Sequence, residues 1–216
     1  MTEIWFMRHG ETDWNTVHRL QGWRDIALND VGRHQAERLS GRLQQAHLEQ
    51  PFAAAYTSDL QRTVDTLTPA AARIGLAPIL DQGLRERHYG VLEGFAVSEM
   101  AAKAPPEAYA AWLSRDEHGD VGHGETLRQF HDRIISSVQK IADRHAGERI
   151  LIMTHGGALD IIWRHAHGTA LTDKKRRAPM LNVSINRVIL DGDHWEVVEW
   201  GNVEHMAEPV GNDVVA

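Results

Sequence analysis

The sequence predicts an α/β protein, a three-layer α/β/α sandwich around a mostly parallel sheet. Two observations carry that expectation. Short apolar runs of strand length alternate with longer segments whose apolar residues step by three and four. The 216 residues show no internal repeat, low-complexity stretch or linker that would divide them. One domain over residues 1–216 is therefore expected, with 85–124 as an insertion covering a site.

The elements follow in order. Ile4 to Met7 is an apolar run fit for a buried strand, and the polar stretch 8–29 follows it. Asp30 is placed to cap a helix bearing Ala36, Leu39, Leu43 and Ala46 on one face. Phe52 to Tyr56 reads as a second strand, and Ser58 as the cap of a helix running to about Ile74, with Pro69 inside it. Pro78 to Leu80 gives a third, short strand, and 95–115 reads as short helices broken at Pro105-Pro106. A long helix spans about 125–145, with Leu127, Phe130, Ile134, Val138 and Ile141 on one face, Glu125 in its first turn and Gly147 beyond its end. Arg149 to Met153 is the clearest buried strand, Ala158 to Ala166 is helical, and 182–190 with 194–200 form a closing strand pair around Asp191-Gly192-Asp193.

Composition narrows the function. Hydrophobic residues at 42% and charged residues at 25% are ordinary for a soluble globular chain. No run of about 18 apolar residues occurs, so no membrane span is expected. The start of the chain shows no secretory leader pattern, and a cytoplasmic location is expected by default. Cysteine is absent, which removes disulfides, thiolate metal sites and cysteine nucleophiles together. A net charge of −7 argues against a general nucleic-acid surface. The fourteen histidines are scattered and include no His-Glu-x-x-His, so no metal site is expected. Nothing in the pattern fixes the oligomeric state, and a homodimer stays open.

In open α/β sheets ligands gather beyond the carboxyl ends of the strands. The residues directly after each predicted strand are Arg8-His9-Gly10-Glu11-Thr12, then Thr57-Ser58-Asp59 with Arg62 one turn on, then Leu84-Arg85-Glu86-Arg87, and finally Thr154-His155-Gly156-Gly157. Arg8, Arg62, His9, His155 and Glu86 thus converge on one edge. Guanidinium groups match phosphate oxygens bidentately and stay charged, and a helix beginning at Gly156 adds amide donors and its positive end. Fixed cations also keep a neighbouring imidazole neutral, the form in which histidine is a covalent catalyst. Lys174-Lys175-Arg176-Arg177 reads as a solvated loop able to steer anions. Tyr109, Trp112 and Trp163 read as packing, and His123 as a candidate for the site mouth.

Arg8-His9-Gly10-Glu11-Thr12, with Trp14-Asn15 and Gln21-Gly22, resembles the signature of the histidine phosphatase superfamily, the phosphoglycerate mutase-like proteins. Ser58-Asp59-Leu60-x-Arg62, Leu84-Arg85-Glu86 with Gly90 and Glu93-Gly94, Gly124-Glu125-Thr126, Thr154-His155-Gly156-Gly157 and Asn182 follow the same pattern in order. The resemblance covers roughly 4–190. It implies His9 as the phosphoryl-carrying nucleophile, Arg8, Arg62 and His155 as phosphate ligands, and Glu86 as general acid and then base. Asn15, Gln21, Gly22 and Gly156 would line the phosphate pocket, and Arg87 and Tyr89 would contact a substrate carboxylate or second phosphate. No metal or other cofactor is implied.

The mutases of this family carry an Arg-Arg pair after a tryptophan, a lysine after Glu-Gly, and an asparagine where this chain has Gly157. Here Trp112 is followed by Leu113-Ser114-Arg115, and Gly94 by Phe95-Ala96-Val97. The expected activity is therefore metal-independent hydrolysis of a small phosphorylated metabolite, a sugar phosphate or phosphoglycerate-like acid, with a mutase as the alternative. A silent phospho-ligand binding module is the third reading; it would need neither nucleophile nor proton donor.

Overall fold

The structure is a computed structural model describing residues 1–207 and 211–212; residues 208–210 and 213–216 of the expected domain lie outside the described residues. In chain order the strands are β1 (Thr2–Arg8), β2 (Ala54–Thr57), β3 (Pro78–Leu80), β4 (Arg149–Thr154), β5 (Ile185–Asp191) and β6 (His194–Asn202). The α-helices are α1 (Asp13–Thr16), α2 (Asp30–Glu49), α3 (Gln61–Arg73), α4 (Val97–Lys103), α5 (Pro106–Ser114), α6 (Leu127–Asp143) and α7 (Gly156–Ala166).

The strands form one sheet in the order β3-β2-β4-β1-β5-β6. β1 to β4 run parallel, β5 pairs antiparallel with β1 and β6 antiparallel with β5, so β5 alone runs against the others and the mostly parallel expectation holds. Successive strand side chains point to opposite faces, and β1 shows the consequence. Ile4 and Phe6 pack with Phe130, Ile134, Leu159 and Ile162 of α6 and α7, whereas Trp5 and Met7 pack with Leu39, Leu43 and Leu67 of α2 and α3. A third apolar cluster lies within 85–124, where Leu92, Met100, Ala108, Trp112 and Val121 gather around Leu20.

Local details differ from the sequence expectations in three places. The α2 cap is Asn29, whose side chain accepts from the Gly32 amide, and Asp30 is the first helical residue. Ser58 does not cap α3, which starts at Gln61 after Leu60 with no side-chain cap. Glu125 lies ahead of α6 rather than in its first turn; Thr126 and Gln129 form a capping box there, and Glu125 pairs with Arg133 at 2.6 Å.

The strand order decides where the chemistry sits. β4 lies between β1 and β2, with Arg8 opposite Thr154 and Thr57 opposite Met153. The three chains therefore leave the sheet side by side, and the first residues beyond them are His9, Ser58 and His155.

Candidate active site

His9 is buried, and its amide is anchored to the Thr154 carbonyl at 3.1 Å. Its Nδ1 lies 2.7 Å from the Gly10 carbonyl oxygen. That oxygen can only accept, so Nδ1 carries the ring proton and Nε2 keeps a free lone pair. Burial holds His9 well below the ordinary imidazole pKa, with Arg62 and then Arg8 adding to the effect and the Gly10 bond opposing it. The ring is neutral at neutral pH.

The His155 ring centroid is 5.3 Å from that of His9. His155 Nε2 meets Ser58 Oγ at 2.9 Å, while its buried Nδ1 has no hydrogen-bond partner. Ser58 Oγ also accepts from the Leu60 amide; with its own proton assigned to Nε2, the ring proton of His155 falls on Nδ1. Burial, then Arg62 and His9, depress this imidazole as well.

Both phosphate-binding candidates among the arginines are held by main-chain oxygens. Arg8 Nη1 donates to Met180 at 2.6 Å. Arg62, fully buried, donates to Gly22 and Arg24, each at 2.8 Å. Burial pushes Arg62 down to about 10, partly offset by Glu86 and Asp25, so it stays charged. Gly22 turns through φ +51°, and a Cβ there would lie 2.1 Å from a Glu93 carboxylate oxygen. Glycine is thus what lets this carbonyl reach Arg62.

Glu86 faces the pocket from the far side. Its carboxylate accepts from the Arg87 amide at 2.8 Å and the Gly157 amide at 2.9 Å, and Arg133 of α6 holds its carbonyl at 3.0 Å. A Cβ on Gly157 would lie 2.3 Å from the Glu86 carboxylate. An asparagine there would have to displace the carboxylate from this position.

His9, Arg8, Arg62, Glu86, Asn15, Gln21, Gly22, Tyr89 and Gly156 all line one pocket, with the His155 ring packed edge-on to His9. Asn15 is the third residue of α1, and its side chain closes a capping box with Thr12. Arg87 alone among the candidates faces an adjoining pocket, which Tyr89 also lines.

Sequence reasoning missed Arg19, which lines the first pocket and sits 5.7 Å from the Trp14 ring, and Arg115 and Asp160, which line the second. It also misplaced Arg176: this side chain of the basic run is only 11% exposed, near Asp160. The rest of the run fits the solvated reading, with Arg177 paired to Asp173 at the surface. Trp112 is buried and Trp163 stacks on His167, as packing residues do. His123 is exposed on a left-handed turn (φ 59°). Among the described residues no group of three or more His, Asp or Glu side chains is arranged to hold a metal ion, and no helix is long and apolar enough to cross a membrane.

A neutral histidine walled by buried arginines at the carboxyl edge of a mostly parallel sheet defines a phosphate-handling α/β protein. The sequence profile of the histidine phosphatase superfamily (branch 1) matches residues 4–203. Over 209 residues the chain is 41% identical to phosphoglycerate mutase-like protein 4 of Arabidopsis thaliana, covering 95% of this chain and 87% of that protein. It is 37% identical to a metal-independent phosphoserine phosphatase of the same plant, covering 96% and 84%. The solved structure of Bacillus stearothermophilus YhfR superposes with a TM-score of 0.82 at 31% identity, covering 95% of this chain and 99% of that one. The chain belongs to the histidine phosphatase superfamily, and phosphatase chemistry follows from that membership.

Proposed function

We propose that the protein hydrolyses a small phosphorylated metabolite through a phosphohistidine formed on His9. The observation that carries this reading is the Nδ1–H bond to the Gly10 carbonyl, which leaves Nε2 unprotonated beside Arg8 and Arg62. In the first step Nε2 forms a bond to phosphorus while the ester P–O bond breaks, and the departing oxygen takes the proton of a protonated Glu86. In the second, Glu86 takes a proton from water, the water oxygen bonds to phosphorus, and the N–P electron pair returns to Nε2. Arg8, Arg62 and the His155 Nδ1–H donate to the non-bridging oxygens, whose charge is what phosphoryl transfer must stabilise. Asn15, Gln21 and Gly22 complete the pocket wall, and the cations supply the positive field without a metal.

The same reading takes 1–216 as one domain whose segment 85–124 covers the site. That segment carries Glu86 and Tyr89 to the pocket and packs its apolar cluster on Leu20. Cytoplasmic residence belongs to the reading too, since a chain without cysteine draws no stability from an oxidising compartment. A mutase is the second reading, favoured by the adjoining arginine pocket, which would help retain an acidic product. Hydrolysis is preferred because Glu86 is already held by the Gly157 amide, where the mutases' asparagine would intrude.

The test is p-nitrophenyl phosphate turnover in excess chelator, with parallel monitoring of 3-phosphoglycerate isomerisation. Phosphate release that survives the chelator is expected. Loss of turnover under chelation overturns the metal-free mechanism, and isomerisation faster than phosphate release replaces phosphatase by mutase.

A further inference from the structure

Glu86 stands in a stretch, 85–89, that belongs to no helix or strand. Loop backbone of this kind ordinarily moves more than a strand end does, and a proton donor has to be held in place. Here four consecutive carbonyls, Gly83 to Glu86, each accept from a side chain. Leu84 accepts from Thr154 Oγ1 at 2.8 Å, and Gly83, Arg85 and Glu86 accept from Arg133 of α6, each at 3.0 Å. Ser137, one turn further along the same helix face, holds Asp81 at 2.9 Å.

Arg133 uses every donor it has. A guanidinium carries five N–H groups. Three go to those carbonyls, and the other two go to Glu125 at 2.6 and 2.7 Å. Glu125 also accepts from the His88 amide at 2.9 Å, so the pair grips the chain on both sides of Glu86. Trp23 Nε1 adds a second donor to the Glu86 carbonyl at 2.8 Å. The Trp23 ring has the Arg85 guanidinium 4.6 Å and the His88 ring 4.8 Å away.

One peptide group connects this clamp to the chemistry. The carbonyl of Glu86 and the amide of Arg87 belong to the same planar unit, so donors that fix the direction of C=O also fix that of N–H. That N–H is the one donating to the Glu86 carboxylate at 2.8 Å. A cation on the carbonyl also polarises the unit and strengthens its N–H as a donor. Arg133 does not line the phosphate pocket; Glu86 does.

We propose that Arg133 is the positioning residue of the general acid, aiming the Glu86 carboxyl through the Glu86–Arg87 peptide, with Glu125 orienting the guanidinium and Trp23 as the second donor. The inference rests on the phosphatase reading, in which Glu86 protonates the leaving oxygen, and adds what holds that group in place.

Three esters with successively poorer leaving groups test it: p-nitrophenyl phosphate, phenyl phosphate and glycerol 1-phosphate. kcat/KM reports transition-state stabilisation in the transfer to His9, and only the poorer leaving groups need a proton there. Arg133→Lys keeps a cation near His155, whose protonation Arg133 disfavours, but it has three donors and no planar fork. It should lower kcat/KM for glycerol 1-phosphate by about 10- to 100-fold and for p-nitrophenyl phosphate by about threefold or less, with phenyl phosphate between. Trp23→Phe removes one donor and keeps an aromatic ring. It should show the same ordering with smaller losses, and it carries the test should Arg133→Lys fail to fold. In a Glu86→Gln background, Arg133→Lys should no longer discriminate among the esters. Equal losses on all three, or discrimination that persists without the Glu86 acid, overturns the proposal and leaves Arg133 a structural clamp. Glu86→Gln alone separates the two readings. If it loses all three esters equally, or if the wild type turns over none of them, the acid role of Glu86 fails and the positioning role falls with it.

Discussion

The two pockets share a wall but are built differently. In the first, Arg8 and His9 stand at the end of β1 and Arg62 in the first turn of α3, and main-chain oxygens hold them: His9 by Gly10, Arg8 by Met180, Arg62 by Gly22 and Arg24. In the second, cations from loops and helix ends gather around Asp160. A sheet edge fixes groups relative to one another through its hydrogen-bond ladder, which suits bond making. Loops carry side chains that can change without disturbing the ladder, which suits choice of substrate. The proposed nucleophile stands at a strand end, whereas Glu86 and the cations of the second pocket stand on loops and helices.

The severest challenge to that division is His9→Ala. Losing the nucleophile should reduce turnover by about 10⁴-fold or more, on every ester alike. Far-ultraviolet circular dichroism should be unchanged, and labelling by a ³²P-phosphoester should vanish. Residual labelling at another residue would move the nucleophile away from β1 and dissolve the contrast. Glu86→Gln comes next, because Glu86 touches both regions. The amide oxygen can keep one of the two main-chain N–H bonds, its NH2 meets the other N–H as a second donor, and the group cannot act as the acid. Alkyl phosphate turnover should fall about 10²- to 10³-fold, and p-nitrophenyl phosphate turnover far less, since its leaving oxygen needs no proton. Equal losses on the two would take the acid role from Glu86.

How much was legible in the sequence follows the same line. His9, Arg62, Glu86 and His155 could be grouped because each follows an apolar run, and parallel strands bring such positions to one edge whatever the loops do. The second pocket had no such signal. Arg115 reaches it from a left-handed turn ending α5 (φ 56°), and Arg176 sits in a basic run whose composition suggested solvent. Ser58 shows the ambiguity of a local motif. Serine before a helical pattern reads as a cap, but its hydroxyl turns to His155 on the neighbouring strand end, a partner only the sheet order supplies. Helix α1 is a single turn, too short for any periodicity, although Thr12 and Asn15 spell its capping box.

The histidines of the first pocket also make a prediction about pH. Burial and the neighbouring arginines hold His9 and His155 down in the folded chain, whereas in the unfolded chain both titrate near the ordinary imidazole value of 6.5. Below that value the unfolded state binds protons that the native state refuses, so stability falls as pH falls. Above it both forms are neutral and no contribution remains. Each histidine should cost about 1.4 kcal/mol per pH unit well below 6.5, until its folded pKa is reached. Urea titrations from pH 7.5 to 5 should show the midpoint dropping, and His9→Ala should remove part of that slope. The acid limb of kcat/KM should accordingly lie well under 6.5. A limb at 6.5, with a slope untouched by His9→Ala, would mean that the ring is solvated and the strand-end pocket is not a low-pKa environment.

Ser58→Ala should have the smallest effect and gives the finest test of how the strand ends cooperate. Ser58 hangs from the end of β2 and His155 from the end of β4, and the 2.9 Å bond between them, with the hydroxyl as donor, holds the ring's proton on Nδ1. Without the hydroxyl, both tautomers become accessible and Nε2 is left buried without its partner, a loss of about 1 kcal/mol. That corresponds to roughly a fivefold fall in kcat, with little change in KM, because the phosphate is still held by Arg8 and Arg62. Ser58→Thr, which retains the hydroxyl, should recover most of it. A loss confined to KM, or a Thr variant as slow as Ala, would mean that Ser58 merely fills space and that the tautomer of His155 is set elsewhere.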